Sequence, residues 1–431
     1  MVVNWEDHVD HAGASDIGIR RTNNQDAFAI LLAPSEDVWR KRGHLFLVAD
    51  GMGAHAVGEL ASKLAVDMIT HNYYKLAGLP ATEALRRAFA DANTSIHHRG
   101  QANRDFQGMG TTSTAMALLP EGVLVAHVGD SRAYRTRQDR IDQLSFDHSL
   151  AWELMRRRRL TPDQVRLMVP SNVITRSLGP EGQVEVDMEG PFPVEPGDIY
   201  VLCSDGLSGQ VSDDEIGVLA VLLPADEACN SLIDLANLRG GPDNITALVI
   251  RIPRTSGGGS SQPASRRVAA TGPRFQWSWH MLRPLMGSVA ALTAVGLGLL
   301  GQKNPAIVAA VVGLIFMVGS EAFPASRRQP PEPDEQPPEP KTGYRSAGCR
   351  LDASLLDRLA GEERTYYQEA IEQSWDVDWP SYDRQRAQAA EALHAERATD
   401  ALGAYCKLLS LLAAGLRRAR AAGTAAGDSS A

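Results

Sequence analysis

Residues 44–53 read HLFLVADGMG, an apolar run of strand type that ends in Asp50 and is followed by Gly-Met-Gly. Val and Phe favour strands, and an aspartate at the end of such a run lies where a sheet can present a side chain to a ligand. Four more short runs of this kind follow: TTSTAMALL from residue 111, GVLVAHVG from 122, DIYVLCSD from 198 and ITALVIRI from 245. The pattern predicts a β-rich domain with functional side chains at its strand ends.

Two helical stretches lie between these strands. Apolar residues spaced by three, four or seven predict one apolar face on each helix: Leu60, Leu64 and Met68 on the first, and Leu85, Phe89 and Ile96 on the second. Consecutive helices within a largely non-parallel order of strands favour sheets covered by helices over a regular βαβ repeat. The fold class predicted for residues 1–253 is therefore α+β.

Composition excludes several classes of protein. The chain has 431 residues, 44% of them apolar, and a formal net charge of −9, which argues against a disordered chain and against non-specific binding of nucleic acid. The four cysteines show no short pairwise spacing, so neither a disulfide framework nor a zinc ribbon is predicted and a reducing compartment is expected. The first residues, MVVNWEDHVDHAG, lack the features of a cleavable signal peptide.

The chain after residue 253 changes character several times. Residues 254–280 are rich in Gly and Ser and predict a flexible linker, whereas residues 324–342 are Pro-rich and acidic and predict an extended one. Residues 281–323 contain two charge-free apolar runs separated by Gln-Lys-Asn, which predict two transmembrane helices. A buried helical hairpin in a soluble domain is the alternative.

The charges around the apolar runs predict an orientation. Arginines precede the first run and follow the second, against one lysine in the turn, so the positive-inside rule places both flanks on the cytoplasmic side. The predicted location is the cytoplasmic (inner) membrane, multi-pass, with the N-terminal domain and the C-terminus in the cytoplasm and the lipid bilayer as a partner. A shallow hairpin that enters only one leaflet would leave both termini in the same place.

Residues 343–431 predict a helical C-terminal region that is interrupted near Pro380. Leu402, Leu409 and Leu412 follow a three-four spacing, but over barely two heptads. This favours helix packing within the chain over a coiled-coil dimer. The region carries no catalytic signature, and its role is not predicted.

Four aspartates share a strand-end position next to Gly, Ser or Asn: Asp50 in VADGMG, Asp130 in VGDSRAY, Asp205 in CSDG and Asp243 in PDN. Each of them alone is typical of a turn, and for Asp130 a turn paired with Arg132 is the alternative. Together they predict an all-oxygen site of the kind that binds Mg²⁺ or Mn²⁺, to which the Gly51 carbonyl can contribute.

These motifs, in this order, resemble the metal-dependent protein phosphatases of type 2C in their bacterial form. The matching blocks span about 240 residues: SDIGIRRTNNQDAF from residue 15, FLVADGMGAHAVGELAS from 46, GMGTTSTAMAL from 108, AHVGDSRAYR from 126, DHSL from 147, NVITRSLG from 172, DIYVLCSDGLSGQVSDDEI from 198 and GGPDNITALVI from 240. The resemblance implies a β-sandwich of two antiparallel sheets flanked by helices, and hydrolysis of phosphoserine and phosphothreonine by a metal-activated water.

The resemblance also implies roles for individual residues. Asp50 would bridge two Mn²⁺ or Mg²⁺ ions, with the Gly51 carbonyl on one ion and Asp205 and Asp243 on the other. Asp130, with Asp205, would hold a third, weaker ion. Arg21 would bind the substrate phosphate, so that Asp50, Asp205 and Arg21 are the predicted catalytic residues, and Asp26 would orient a metal-bound water. The substrates would be phosphoproteins modified by a Ser/Thr protein kinase.

Two positions depart from the family pattern. Gln25 stands where the family usually has Glu, which predicts weaker binding of the second ion. His55 could act as a general acid, but in the eukaryotic form the corresponding histidine directly follows Asp-Gly, a place that Met52 takes here. The alternative function is a catalytically weak or inactive signalling scaffold that binds phosphoproteins and carries a C-terminal partner-binding module.

Overall fold

The structure is a computed structural model that describes residues 9–53, 57–158, 164–165, 168–170, 173–253 and 344–428. Its strands are β1 Asp10–Asp16, β2 Asp26–Leu31, β3 His44–Met52, β4 Gly110–Thr111, β5 Ser113–Leu119, β6 Gly122–Val128, β7 Arg132–Arg137, β8 Arg140–Gln143, β9 Asp187–Phe192, β10 Ile199–Cys203, β11 Ile245–Arg251 and β12 Arg345–Gly348. Its helices are α1 Glu36–Arg42, α2 Val57–Lys75, α3 Ala81–Ala102, α4 Leu150–Arg158, the single turn α5 Asp205–Ser208, α6 Asp213–Leu222, α7 Ala225–Leu238, α8 Ala353–Glu372, α9 Trp379–His394 and α10 Ala398–Asp428.

The strands form two antiparallel sheets. The first sheet has the order β1-β11-β10-β7-β8-β12, and the second has the order β2-β3-β5-β6-β9 with β4 beside β3. Both sheets carry helices on their outer faces, α2 and α3 on the second sheet and α6, α7 and the C-terminal helices on the first. The predicted sandwich of two antiparallel sheets flanked by helices is confirmed.

The alternation of side chains along β3 shows how the sequence produces these layers. Leu45 and Leu47 pack into the cluster shared with α2 and α3, whereas Phe46 and Val48 pack into the cluster between the sheets. Successive side chains of a strand point to opposite faces, so a strand covered on both sides is apolar at every position. This is why HLFLVAD is a continuous apolar run without a polar face.

The two predicted helices are present as α2 and α3. On α3, the predicted residues Leu85, Phe89 and Ile96 are fully buried. On α2 the buried face is centred on Ala61 and Ile69, while the predicted Leu60, Leu64 and Met68 are only partly buried at its edge. The small residues of this face, Ala61 and Ala65, let the helix lie close to the sheet.

The C-terminal region packs against the first sheet and its helices. Strand β12 pairs with β8 in antiparallel register, Ala347 opposite Ile141. Leu402, Leu409 and Leu412 of α10 lie in the same buried cluster as Leu232 of α7. The three-four spacing of α10 therefore serves packing within the chain, and residues 344–421 share a core with the N-terminal part.

The predicted multi-pass location in the inner membrane requires correction. Among the helices that the structure describes, none carries an apolar stretch long enough to cross a bilayer. The longest of them, Ala398–Asp428, places its apolar side in the core and interrupts its surface with charges. The apolar runs 284–301 and 305–320, on which the predicted transmembrane hairpin rests, lie outside the described residues, so the hairpin finds no support there.

Candidate active site

Five aspartates meet at one end of the two sheets. Asp26 begins β2 and pairs opposite Asp50 near the end of β3. Asp130 follows β6, Asp205 follows β10 and begins the single turn α5, and Asp243 precedes β11. The structure therefore brings together the four strand-end aspartates singled out in the sequence and places beside them Asp26, to which the family resemblance assigned the orientation of a metal-bound water.

The cluster concentrates negative charge in a buried place. Burial, followed by the charges of Asp26 and Asp205, raises the pKa of Asp50 well above its usual range. Burial also raises the pKa of Asp26 to about 7, although hydrogen bonds from Thr246 and Ser204 oppose the shift. Carboxyl groups crowded in this way can ionise together only if positive charge is supplied, because like charges close together disfavour ionisation.

Several oxygens of the cluster lack hydrogen bonds. Within the described part of the chain, Oδ1 of Asp26, Asp130 and Asp205 is buried and has no hydrogen-bond partner. A buried carboxylate oxygen without a partner is costly unless a cation binds it. The donor set, oxygen only, fits a hard divalent ion such as Mg²⁺ or Mn²⁺.

The side chains alone do not complete a coordination sphere. Over the residues that the structure describes, no three His, Cys, Asp or Glu side chains meet closely enough to hold a metal ion by themselves. Mg²⁺ commonly keeps several waters and takes only one or two carboxylates. The cluster therefore fits ions that also bind water and backbone carbonyls.

The backbone around Asp50 is fixed by its neighbours. The Asp50 amide donates to Oγ1 of Thr112 at 2.9 Å, and its carbonyl accepts from the Thr112 amide at 2.8 Å and from Oγ1 of Thr111 at 2.8 Å. The next residue must be glycine, because a Cβ at Gly51 would lie 2.0 Å from the carbonyl oxygen of Gly58 on α2. Strand and helix thus meet directly at the candidate site.

Asp26 is anchored from the first sheet. Its Oδ2 accepts hydrogen bonds from Oγ of Ser204 at 2.8 Å and from Oγ1 of Thr246 at 2.6 Å. Only Oδ1 remains for another ligand. This arrangement suits a residue that orients a water or an ion from beside the site.

Arg21 lies at the open side of the cluster. Its Nη2 donates to Oδ2 of Asp243 at 2.7 Å, and about half of its side chain is exposed. The loop that carries Arg21 is held by the buried Asn244, whose Nδ2 donates to the carbonyls of Ile17 at 2.8 Å and Asn23 at 2.9 Å. No role for Asn244 was predicted from the sequence, although its position directly after Asp243 was a signal.

The remaining predicted residues have mixed outcomes. The Gln25 backbone carbonyl accepts from the Gly51 amide at 3.0 Å, which places Gln25 beside the cluster. Arg132 donates to Asp147 at 2.9 and 2.7 Å, so the carboxylate to which it is hydrogen-bonded is that of Asp147 and not that of Asp130. His55 lies outside the described residues.

Comparisons with known proteins agree with this arrangement. A family model described as "Protein phosphatase 2C" matches residues 13–232, about half of the chain. A "Putative protein phosphatase 2C-type" of Streptococcus pyogenes is 37% identical over 241 residues, which are 55% of this chain and 94% of that protein. "Protein phosphatase PhpP" of Streptococcus pneumoniae is 34% identical, again over 55% of this chain and 94% of its own length. The solved structure of the Mycobacterium tuberculosis serine/threonine phosphatase PstP/Ppp is 33% identical, covers 57% of this chain and 99% of its own, and has a TM-score of 0.51.

Proposed function

Because this chain belongs to the protein phosphatase 2C family in its bacterial form, we propose that it is a metal-dependent phosphatase that hydrolyses phosphoserine and phosphothreonine in proteins. The observation that carries the proposal is the cluster of buried carboxylates with unpartnered oxygens next to Arg21. Mn²⁺ or Mg²⁺ is the cofactor that this donor set fits.

Within this proposal, Asp50 holds the central position of the metal site. Asp50 and the Gly51 carbonyl, together with Asp205 and Asp243, would hold two ions, and Asp130 with Asp205 would hold a third. Bound divalent ions supply Lewis-acid stabilisation of the phosphoryl oxygens and lower the pKa of a water molecule. The hydrogen bonds of Thr111 and Thr112 keep the Asp50 backbone in one position.

Arg21 is the residue proposed to bind the substrate phosphate. A guanidinium offers two parallel N–H donors, which match two oxygens of a phosphate. Its present partner, Asp243, keeps the side chain over the cluster without burying it. Because Asn244 fixes the loop backbone at two carbonyls, the guanidinium starts from a defined place when a phosphate arrives.

The substrates proposed are phosphoproteins made by a Ser/Thr protein kinase. An inactive scaffold would be expected to have lost an aspartate of the metal site. Asp50, Asp205 and Asp243 are all kept, together with the geometry that gathers them.

The experiment that tests the function uses the full chain. Hydrolysis of p-nitrophenyl phosphate and of a phosphothreonine peptide is measured with Mn²⁺, with Mg²⁺ and with excess chelator. We expect hydrolysis of both substrates with at least one of the metals, loss of it in chelator, and recovery when metal is restored. Hydrolysis that persists in chelator would contradict the proposal.

A further inference from the structure

A cavity of about 740 Å³ opens beside the carboxylate cluster. Its lining includes Asp130 and Asp205 together with Phe146, Trp152 and Tyr344. Its volume lies within the range of ordinary ligand sites. Because Asp130 and Asp205 are among its lining residues, the cavity adjoins the place where the phosphate of a substrate would bind.

The C-terminal region supplies one wall of this cavity. The ring of Phe146 packs edge-on against Trp152 and against Tyr344, with centroids 5.4 Å apart in both pairs. Arg345, the first residue of β12, lies 5.7 Å from the centre of the Trp152 ring. The pairing of β12 with β8 in the first sheet brings Tyr344 and Arg345 to the cavity.

The cations of the cavity already have anionic partners. Arg132 makes a two-point ion pair with Asp147, and Arg345 lies 3.5 Å from Asp213. An acidic side chain entering the cavity would compete with these carboxylates, whereas an apolar side chain gains contact with three aromatic rings. The cavity chemistry thus favours an apolar occupant.

We propose that this cavity binds an apolar side chain of the phosphoprotein substrate, within one or two residues of the phosphoserine or phosphothreonine. The inference rests on the proposed function. Consecutive Cα atoms are about 3.8 Å apart, so a side chain that enters a cavity lined by Asp130 and Asp205 belongs to a near neighbour of the phosphorylated residue. The C-terminal region is then a part of the substrate site.

The test compares phosphothreonine peptides that differ at one flanking position, with Phe, Leu, Ser or Asp there. For the full chain with saturating metal, we expect kcat/KM to be about tenfold higher or more for the apolar peptides. In Trp152→Ala and in Tyr344→Ala the ratio between apolar and polar peptides should fall towards one. Tyr344→Phe keeps the ring and should keep the ratio, which guards against a failure of one variant to fold.

Ile371→Ala is the matched control, because Ile371 is an exposed apolar residue of α8 that does not line the cavity. It should keep the wild-type ratio. Equal kcat/KM for all four peptides in the wild type, or an unchanged ratio in both alanine variants, would overturn this inference while leaving the phosphatase activity standing. Failure of the wild type to hydrolyse p-nitrophenyl phosphate as well would instead overturn the proposed function.

A different observation concerns the loop that carries Arg21. The guanidinium of Arg420, near the end of α10, donates to the backbone carbonyls of Gly18 and Arg21. One turn earlier, Arg417 donates to Asp234 of α7 at 2.7 Å and lies 3.7 Å from Asp16. Residues 417–420 of α10 therefore lie beside the phosphate-binding loop, and Arg420 contacts it directly.

The loop also contacts the segment that precedes β11. The amides of Ile19 and Arg20 donate to the Gly241 carbonyl at 2.8 and 3.0 Å. Gly18 adopts a positive φ of 79° and approaches the Asp243 carbonyl so closely that a Cβ would lie 2.0 Å from it. The backbone of this loop is therefore held both by Arg420 and by the segment around residues 241–243.

We infer that Arg420 is a positioning residue that orients Arg21 for phosphate binding. The matched control is Arg418, its neighbour on α10, which contacts Asp376 instead of the loop. Arg420→Ala should raise KM for p-nitrophenyl phosphate about fivefold or more and weaken inhibition by inorganic phosphate equally. Arg420→Lys, which can still donate to one carbonyl, should recover part of the affinity, and Arg418→Ala should keep the wild-type KM.

The comparison of KM with kcat separates positioning from stability. A variant that is only partly folded loses kcat per mole of protein but keeps the KM of its folded fraction. A KM for Arg420→Ala equal to that of Arg418→Ala would overturn the inference, whatever the change in kcat.

Discussion

Asn244→Ala tests how the fold positions the phosphate-binding loop. The Asn244 side chain makes three hydrogen bonds to backbone groups of the loop, at 2.8 Å to Ile17, 2.9 Å to Asn23 and 2.8 Å from the Gln25 amide. At roughly 1 kcal/mol each, and with buried groups left unpaired, the substitution should lower the free energy of unfolding by about 2–4 kcal/mol. Urea unfolding at fixed metal concentration measures this, since metal binding itself stabilises the folded state.

The same substitution should raise KM for p-nitrophenyl phosphate about tenfold, because a displaced loop displaces Arg21. Asn93→Ala is the matched control. Asn93 is also buried and holds a backbone segment by two hydrogen bonds, to Glu181 and from Gly179, away from the loop. Asn93→Ala should lower the free energy of unfolding and leave the KM for p-nitrophenyl phosphate at the wild-type value. A wild-type KM in Asn244→Ala would refute the reasoning that this side chain positions Arg21.

Three further predictions follow from single side chains. Arg21→Ala should reduce kcat/KM by a factor equivalent to about 2–4 kcal/mol, whereas Arg20→Ala should change kcat/KM little. Equal losses in the two variants would mean that Arg21 is wrongly aligned with the phosphate-binding arginine of the family. Gln25→Glu should lower the Mn²⁺ concentration for half-maximal activity, because an added negative charge favours a hard cation, and an unchanged titration would place this side chain outside the metal site. Burial alone would raise the pKa of Glu215, but the hydrogen bonds and charge of Arg239, together with the hydrogen bonds of Ser212, outweigh burial and lower the pKa to about 2. The ionised Glu215 carboxylate then contributes about 2–3 kcal/mol to the free energy of unfolding above pH 4.5, and this contribution is lost as the pH falls towards 2. Glu215→Gln should therefore flatten the acid limb of a curve of unfolding free energy against pH. An unchanged acid limb in Glu215→Gln would contradict this prediction.

The central strands could be predicted from sequence because they are buried on both faces. Apolar runs such as those of β3, β5, β6, β10 and β11 have few alternatives, and the aspartates next to β3, β6, β10 and β11 marked the candidate site. Strand β7, with the sequence RAYRTR, was not predicted. Two of its arginines are accommodated by ion pairs, Arg135 with Asp142 of the adjacent strand β8 at 3.0 Å and Arg137 with Asp198 at 2.7 Å. The second partner lies 61 residues away in the sequence and leaves no local pattern.

The C-terminal region shows the same limit more strongly. Its helices and the break before Pro380 were predictable from local spacing, and Asp378 caps α9 there. The contribution of the C-terminal region to the site could not be predicted, because Arg420 and Tyr344 resemble ordinary surface residues in the sequence. Their contacts with the Arg21 loop and with Phe146 arise only when distant segments pack together.

The most direct test of the central claim is the activity of Asp50→Asn with saturating Mn²⁺. The substitution keeps the shape of the side chain and removes the charge at the centre of the carboxylate cluster. The metal-site assignment predicts that kcat for p-nitrophenyl phosphate falls about a thousandfold or more while the circular dichroism spectrum is unchanged. A well-folded Asp50→Asn protein that keeps more than about a tenth of the wild-type kcat would contradict the assignment.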